Sequence, residues 1–191
     1  MVNLSLLSQS LKYFKNMKFT ETKLKGVYVI DLEKHKDDRG FFARSWCQKE
    51  FAEKGLDSFL VQCNISFNKK KGTLRGMHYQ IAPFEEVRIV RCTQGALLDV
   101  VIDLRSGSPT YKKHFSIELS AENRKMLYIP KGFAHGFQTL MDNTEVFYQM
   151  SENYSAGHAK GVRWNDTAFT IFWPLPVTKI SEKDKTYPGF L

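Results

Sequence analysis

The chain is poor in cysteine, in acidic charge and in long apolar runs. Its 191 residues include three cysteines, Cys47, Cys63 and Cys92, and no CxxC pair. An odd number of scattered thiols argues against a disulfide framework and fits a reducing cytosol, with each cysteine free and packed. No apolar run approaches the roughly 20 residues that a spanning helix needs, so no membrane association is expected. The N-terminal stretch "MVNLSLLSQSLKYFKNMKF" has neither a leading basic region nor a small-residue cleavage site. It therefore does not read as a secretory signal, and a cytoplasmic location is expected. Repeats, low-complexity tracts and linkers are absent too.

Acidic residues number 20 against 28 lysines and arginines, a formal net charge of +8. Such an excess fits phosphate contacts to nucleic acid or a small anionic ligand, with much of the lysine merely solvated. The basic residues are scattered from Lys12 to the lysine run at 69–71, and no nucleic-acid motif accompanies them. The small anionic ligand is the better reading, and no nucleic-acid partner is expected.

What the chain does have is apolar and aromatic content, 42% and 14% of its residues. That supports a real core in one domain. The expected division is an N-terminal extension over 1–17 and a single domain over 18–191. From residue 24 on, short β-branched and aromatic runs alternate with turns. "KGVYVIDL", "FLVQCNISF", "VRIVRCTQGALLDVVIDL", "HFSIELS", "KMLYIP", "GFQTL" and "TEVFYQMS" predict strands. "DDRG", "TQG", "RSGSP", "PKG" and "MDN" separate them. One short helix is predicted at "CQKEFAEKG", with Gly55 as its stop. Many short strands at this spacing predict an all-β sandwich or barrel of the jelly-roll type, with a few short helices. In the C-terminal third, Trp164, Phe172 and Trp173 predict a segment packed over the sheet.

"GTLRGMHYQ" is the stretch that simple core packing does not explain. On a straight strand Arg75 and His78 would point to opposite faces. "PKGFAH" matches the PxGxxH turn of the second cupin motif, and Gly72, His78 and Gly95 are spaced as in the first. A metal-binding cupin wants HxH followed by a glutamate; here Gln80 stands in place of the second histidine. His78, His135 and Glu85 or Glu86 make a poor ligand set, so no metal is expected. Without a metal, abstraction of a proton beside a carbonyl needs a base, a cation for the enolate oxygen and an acid. Candidates of each type exist in His78, Asp184, Tyr148 and Arg88. Sequence spacing does not pair them across more than a hundred residues.

From about residue 18 to its end, the chain resembles the dTDP-4-dehydrorhamnose 3,5-epimerase family. The resemblance lies in "DDRGFFARSW", "GTLRGMHYQ", "VRCTQGALLDVVIDLRSGSPTY", "LSAENRKMLYIPKGFAHGF", "VFYQMSENYS", "WNDTAFTIFWP" and "SEKD", in the family's order and spacing. It implies a cupin-like jelly roll, a homodimer, and catalysis without cofactor or metal on a nucleotide-diphosphate sugar. By motif, His78 stands at the base, Asp184 at its dyad partner and Tyr148 at the general acid. Arg75 and Arg39 are implied to hold the diphosphate, and Gln62, Asn64, Asp99 and His135 to face the pocket. Arg88 replaces the family's lysine, Arg44 stands where a glutamate is frequent, and Cys63 and Ile65 replace polar residues. These departures are expected around the sugar pocket. The implied function is epimerisation of a nucleotide-linked 4-keto-6-deoxy sugar in deoxysugar biosynthesis. A 3-only epimerase, a 3,4-ketoisomerase or a non-catalytic nucleotide-sugar binder are the alternatives.

Overall fold

The computed structural model of the protein describes residues 17–190. Residues 1–16 of the expected extension lie outside them. Met17, its last residue, packs in a core cluster beside Phe51 and gives its backbone N–H to the buried Glu50 carboxylate.

Two antiparallel sheets face each other. One has six strands in the order β1 (Lys18–Glu21), β2 (Tyr28–Asp31), β10 (Met126–Ile129), β7 (Arg88–Gln94), β12 (Thr144–Met150) and β5 (Gln62–Asn68). The other has five, ordered β13 (Ala159–Gly161), β6 (Leu74–Gln80), β11 (Phe133–Thr139), β8 (Ala96–Asp103) and β9 (His114–Ser120). A separate hairpin pairs β3 (His35–Asp37) with β4 (Gly40–Phe42). From β5 to β8 the chain alternates between sheets at every strand, and it does so again from β9 to β12. This is the all-β sandwich that the strand spacing predicts. The two short helices are α1 (Gln48–Glu53) and α2 (Glu182–Lys185). Helix α1 ends as expected, at Gly55 with φ +70°, a conformation that costs glycine little.

Alternation along the strands builds three apolar layers. Between the sheets lie Val90 and Cys92 of β7, Leu97 and Val101 of β8, and Phe133 and Phe137 of β11. Outside the six-stranded sheet, Ile89, Met126 and Tyr128 pack under Phe51 of α1 and Met17. Outside the five-stranded sheet, Met77, Val100, Ile102 and Ala134 are covered by Val162 and Phe169, with Trp173 against them. Each fully buried aliphatic or aromatic side chain contributes roughly 1.5–3 kcal/mol. The C-terminal third does pack over a sheet, as expected, but not through Phe172, which is 78% exposed. Phe169 fills that role, and Trp164 takes the Trp173 indole N–H on its carbonyl. His35, His114 and His158 are half-buried.

Candidate active site

Two glycines set the geometry of the site. Gly76 has φ +130°, and a Cβ there would lie 2.5 Å from the Gly136 Cα. Side-chain-free backbones let β6 and β11 approach closely where their pairing shifts register, between His135 and Phe137. The distortion breaks the strict alternation of β6. Arg75 and His78 then face the same cavity, which a straight strand would not allow. Next to the shift, His78 and His135 are cross-strand partners.

The cavity, of about 520 Å³, opens between the sheets. His78 Nε2 lies 2.7 Å from Asp184 Oδ1. Asp184 also accepts the Gly76 N–H at 3.2 Å through Oδ2. Its own N–H is capped by Ser181 Oγ at 3.1 Å, so the N-cap of α2 fixes the carboxylate. Burial pushes the Asp184 carboxyl up. The His78 hydrogen bond and charge, with hydrogen bonds from Gly76 and Ser181, outweigh it and hold the group below its ordinary value. An ionised carboxylate only accepts, so Nε2–H of His78 donates this hydrogen bond and the ring's lone pair is left on Nδ1. Tyr187 stands edge-on to the imidazole, ring centroids 5.9 Å apart. Burial raises its phenol above the usual value.

Tyr148 of β12 lines the wall, with Gln62, Asn64 and Ser66 of β5. Arg75 gives its Nε–H to the buried Asn68 at 2.7 Å, which orients the rest of its fork. Arg88 lies beside His135, Nη1 to Nδ1 3.5 Å, and pairs with Glu86. His135 Nε2 contacts Asp99 Oδ2 at 2.9 Å. His78, Asp184, Tyr148, Arg88, Arg75, Gln62, Asn64 and His135 are thus brought together around one cavity.

Not every expected residue lines the cavity. Asp99 does not line the cavity; it is fully buried behind His135. Arg39 is not at the cavity either. It sits on the β3–β4 hairpin, its side chain 89% exposed and paired with Asp37 at 2.6 Å. The hairpin is a two-stranded sheet apart from the other two, and Arg124 lies over its Phe41 ring at 5.1 Å. Cys63 and Ile65 lie on the outer face of β5, opposite Gln62 and Asn64, because the strand alternates. Arg44 is away from the cavity, bound to Glu50 at 2.7 Å. Of the departures from the family pattern, Arg88 is the one at the site. Sequence reasoning missed Lys160, Lys183, Tyr154 and Tyr187 on the cavity wall. Lys183 carried a signal in its place beside Asp184 in "SEKD", and Tyr154 in its place in "VFYQMSENYS". Gln80 is no vestige: its side chain joins the Phe84 and Asn153 carbonyls to the Ser155 N–H and anchors the loop that carries Tyr154. Among the described residues, no group of three or more His, Cys, Asp or Glu side chains is placed to hold a metal.

Residues 21–191 match the dTDP-4-dehydrorhamnose 3,5-epimerase family. The chain belongs to that family. The Sinorhizobium fredii dTDP-4-dehydrorhamnose 3,5-epimerase is 45% identical over 178 residues, covering 93% of this chain and 89% of the relative. The fold agrees equally well. The crystal structure of the Bacillus anthracis epimerase with TDP and pyrophosphate bound is 40% identical, with a TM-score of 0.89 over 92% of this chain and 100% of that one. A Legionella pneumophila 3,5-epimerase, solved with dTDP-4-keto-L-rhamnose, is 34% identical, with a TM-score of 0.83 over 88% and 90% of the two chains.

Proposed function

We propose that this isomerase epimerises a nucleotide-linked 4-keto-6-deoxy sugar, dTDP-4-dehydrorhamnose or a close relative, without cofactor or metal. The observation that carries the reading is the His78–Asp184 dyad facing a cavity that also holds Tyr148 and Arg88. His78 Nδ1 removes the proton from the carbon beside the keto group. The C–H electron pair becomes the enolate double bond, and the carbonyl pair moves to oxygen. Arg88 stabilises that oxygen. Tyr148 gives its phenolic proton to the opposite face of the carbon, inverting it, and solvent restores both residues. In a double epimerisation C5 reacts first, then C3 after the ring is reoriented.

Arg75 supplies a planar fork for the diphosphate, and Lys160 and Lys183 add positive charge to the wall. A dianionic substrate suits this surround. Gln62, Asn64 and His135 position the sugar and nucleotide; Asp99 acts through His135.

The reading includes a cupin-like homodimer working in the cytoplasm on deoxysugar synthesis. Supporting dimerisation, Ile65 and Phe67 on the outer face of the edge strand β5 are 65% and 46% exposed. Phe59 and Val61 extend the patch, and Phe41 and Phe42 stand exposed on the hairpin. Contiguous exposed apolar side chains of this extent mark contact surfaces. No helix among the described residues is long and apolar enough to cross a membrane.

The test is incubation with dTDP-4-keto-6-deoxyglucose in deuterated water, following the C3 and C5 protons by NMR. Exchange at both positions, lost in His78→Ala, is expected. Exchange at C3 alone would make the protein a 3-epimerase, and no exchange would refute the reading for this substrate.

A further inference from the structure

The cation at the enolate position is clamped from behind. Glu86 lies two residues before Arg88, just outside the start of β7. Its carboxylate accepts from both Nε and Nη2 of Arg88 through the single oxygen Oε1, the Nε contact at 2.9 Å. The side chains are 2% and 14% exposed, so the pair is held away from solvent. The backbone between them is fixed as well. The Val87 N–H meets Ser151 Oγ at 2.8 Å, and the Ser151 N–H meets the Val87 carbonyl at 3.1 Å. With the Nε/Nη2 edge of the guanidinium committed, Nη1 is the nitrogen left toward the cavity. It lies 3.5 Å from both the His78 carbonyl oxygen and His135 Nδ1.

We infer that Glu86 is a positioning residue for the reaction: it fixes the plane of the Arg88 fork so that Nη1 meets the developing enolate oxygen. The inference rests on the epimerase reading of the cavity. The chemistry of the cation explains why a clamp is needed. A lysine ammonium is a compact point charge with three rotating donors and reaches an oxygen from many angles. A guanidinium offers donors in one plane only, and a tilt of that plane removes the hydrogen bond. Misplacement of a stabilising group by about 1 Å can cost on the order of 10²-fold in rate. The buried carboxylate needs the clamp in turn: Arg88 is its ion-pair partner, and its second oxygen, Oε2, has no hydrogen-bond partner among the described residues.

The test compares Glu86→Ala and Glu86→Gln, each with Arg88 and with Arg88→Lys, by the rate of deuterium exchange next to the keto group and by KM. With Arg88 present, Glu86→Ala is expected to lower kcat about 10- to 100-fold with KM within about threefold, because the diphosphate contact at Arg75 is separate. Glu86→Gln keeps a neutral acceptor and the side-chain volume, and it is expected to lose less, about 3- to 10-fold. With lysine at 88, the same changes are expected to alter kcat less than about threefold. An unchanged kcat in the Glu86 variants, or an equal loss with arginine and lysine, would overturn the inference and leave a structural ion pair. Should Glu86→Ala fail to fold, Glu86→Gln carries the same comparison. Absence of exchange in the unaltered protein would instead refute the epimerase reading, and the inference with it.

Discussion

Replacing Asp184 by asparagine separates the chemistry of the dyad from its packing. The amide has the carboxylate's shape. Its oxygen can still accept the Gly76 N–H, which lies 3.2 Å from Oδ2, and its nitrogen can occupy the position 2.7 Å from His78 Nε2. That nitrogen donates where the carboxylate accepts. Nε2 must then accept, the ring proton moves to Nδ1, and the lone pair that takes the substrate proton is gone. The compensating charge for the imidazolium is lost with it. Together these are expected to lower kcat by about 10²–10⁴-fold, or about 3–5 kcal/mol of barrier at 1.36 kcal/mol per tenfold. KM should stay within a few fold, since Arg75 is untouched, and the urea midpoint should move little. The assay is single-turnover deuterium exchange by NMR, paired with urea denaturation of the same preparation. Asp184→Asn retaining more than about a tenth of the exchange rate while folded would refute the claim that the carboxylate sets the tautomer of the base.

Three further outcomes are expected. Tyr148→Phe removes one hydroxyl from the cavity wall, so exchange at the His78 face should survive while inverted product falls about 100-fold; product ratio against deuterium content reads this directly. Gly76→Ala puts a Cβ 2.5 Å from the Gly136 Cα at φ +130°, and should destabilise the fold by about 2–4 kcal/mol, measured as a lower urea midpoint. Asp103 gives a pH-dependent stability. Burial raises its carboxyl, but hydrogen bonds from Arg105, Ser108 and Thr110 prevail and hold it well below its ordinary value of 3.8. The folded state then keeps the carboxylate where the unfolded chain has bound a proton. Its contribution is present above the unfolded value and lost as pH falls toward the folded one. Asp103→Asn should be less stable at neutral pH and lack that part of the acid-side decline; urea midpoints at a series of pH values check it.

Most of the sheet was legible because strand formation answers to local patterning. β9 falls on "HFSIELS" and β12 on "TEVFYQM" within one residue, while of the expected turn "TQG" only Gly95 separates β7 from β8. The β3–β4 hairpin and β1 escaped notice because three- and four-residue strands carry too little alternation to detect. The catalytic candidates were legible by type and, through the family resemblance, by position. Their pairing was not. Asp184 lies 106 residues from His78, and only the N-cap of α2 packed against β6 brings them together.

The sequence by itself determined the all-β class, the short α1 with its glycine stop, and the residue types of the reaction. These follow from periodicity, turn chemistry and side-chain identity, which are properties of the chain read locally. Tertiary structure decided which faces look inward. It turned Arg75 and His78 to one cavity through the distortion at Gly76, and Cys63 and Ile65 away from it. It put Asp99 behind His135 and Glu86 behind Arg88, and left Arg39 on an outlying hairpin. Register, bulges and cross-strand contacts join residues that are distant in sequence, and a one-residue shift reverses every face, so no local reading fixes them.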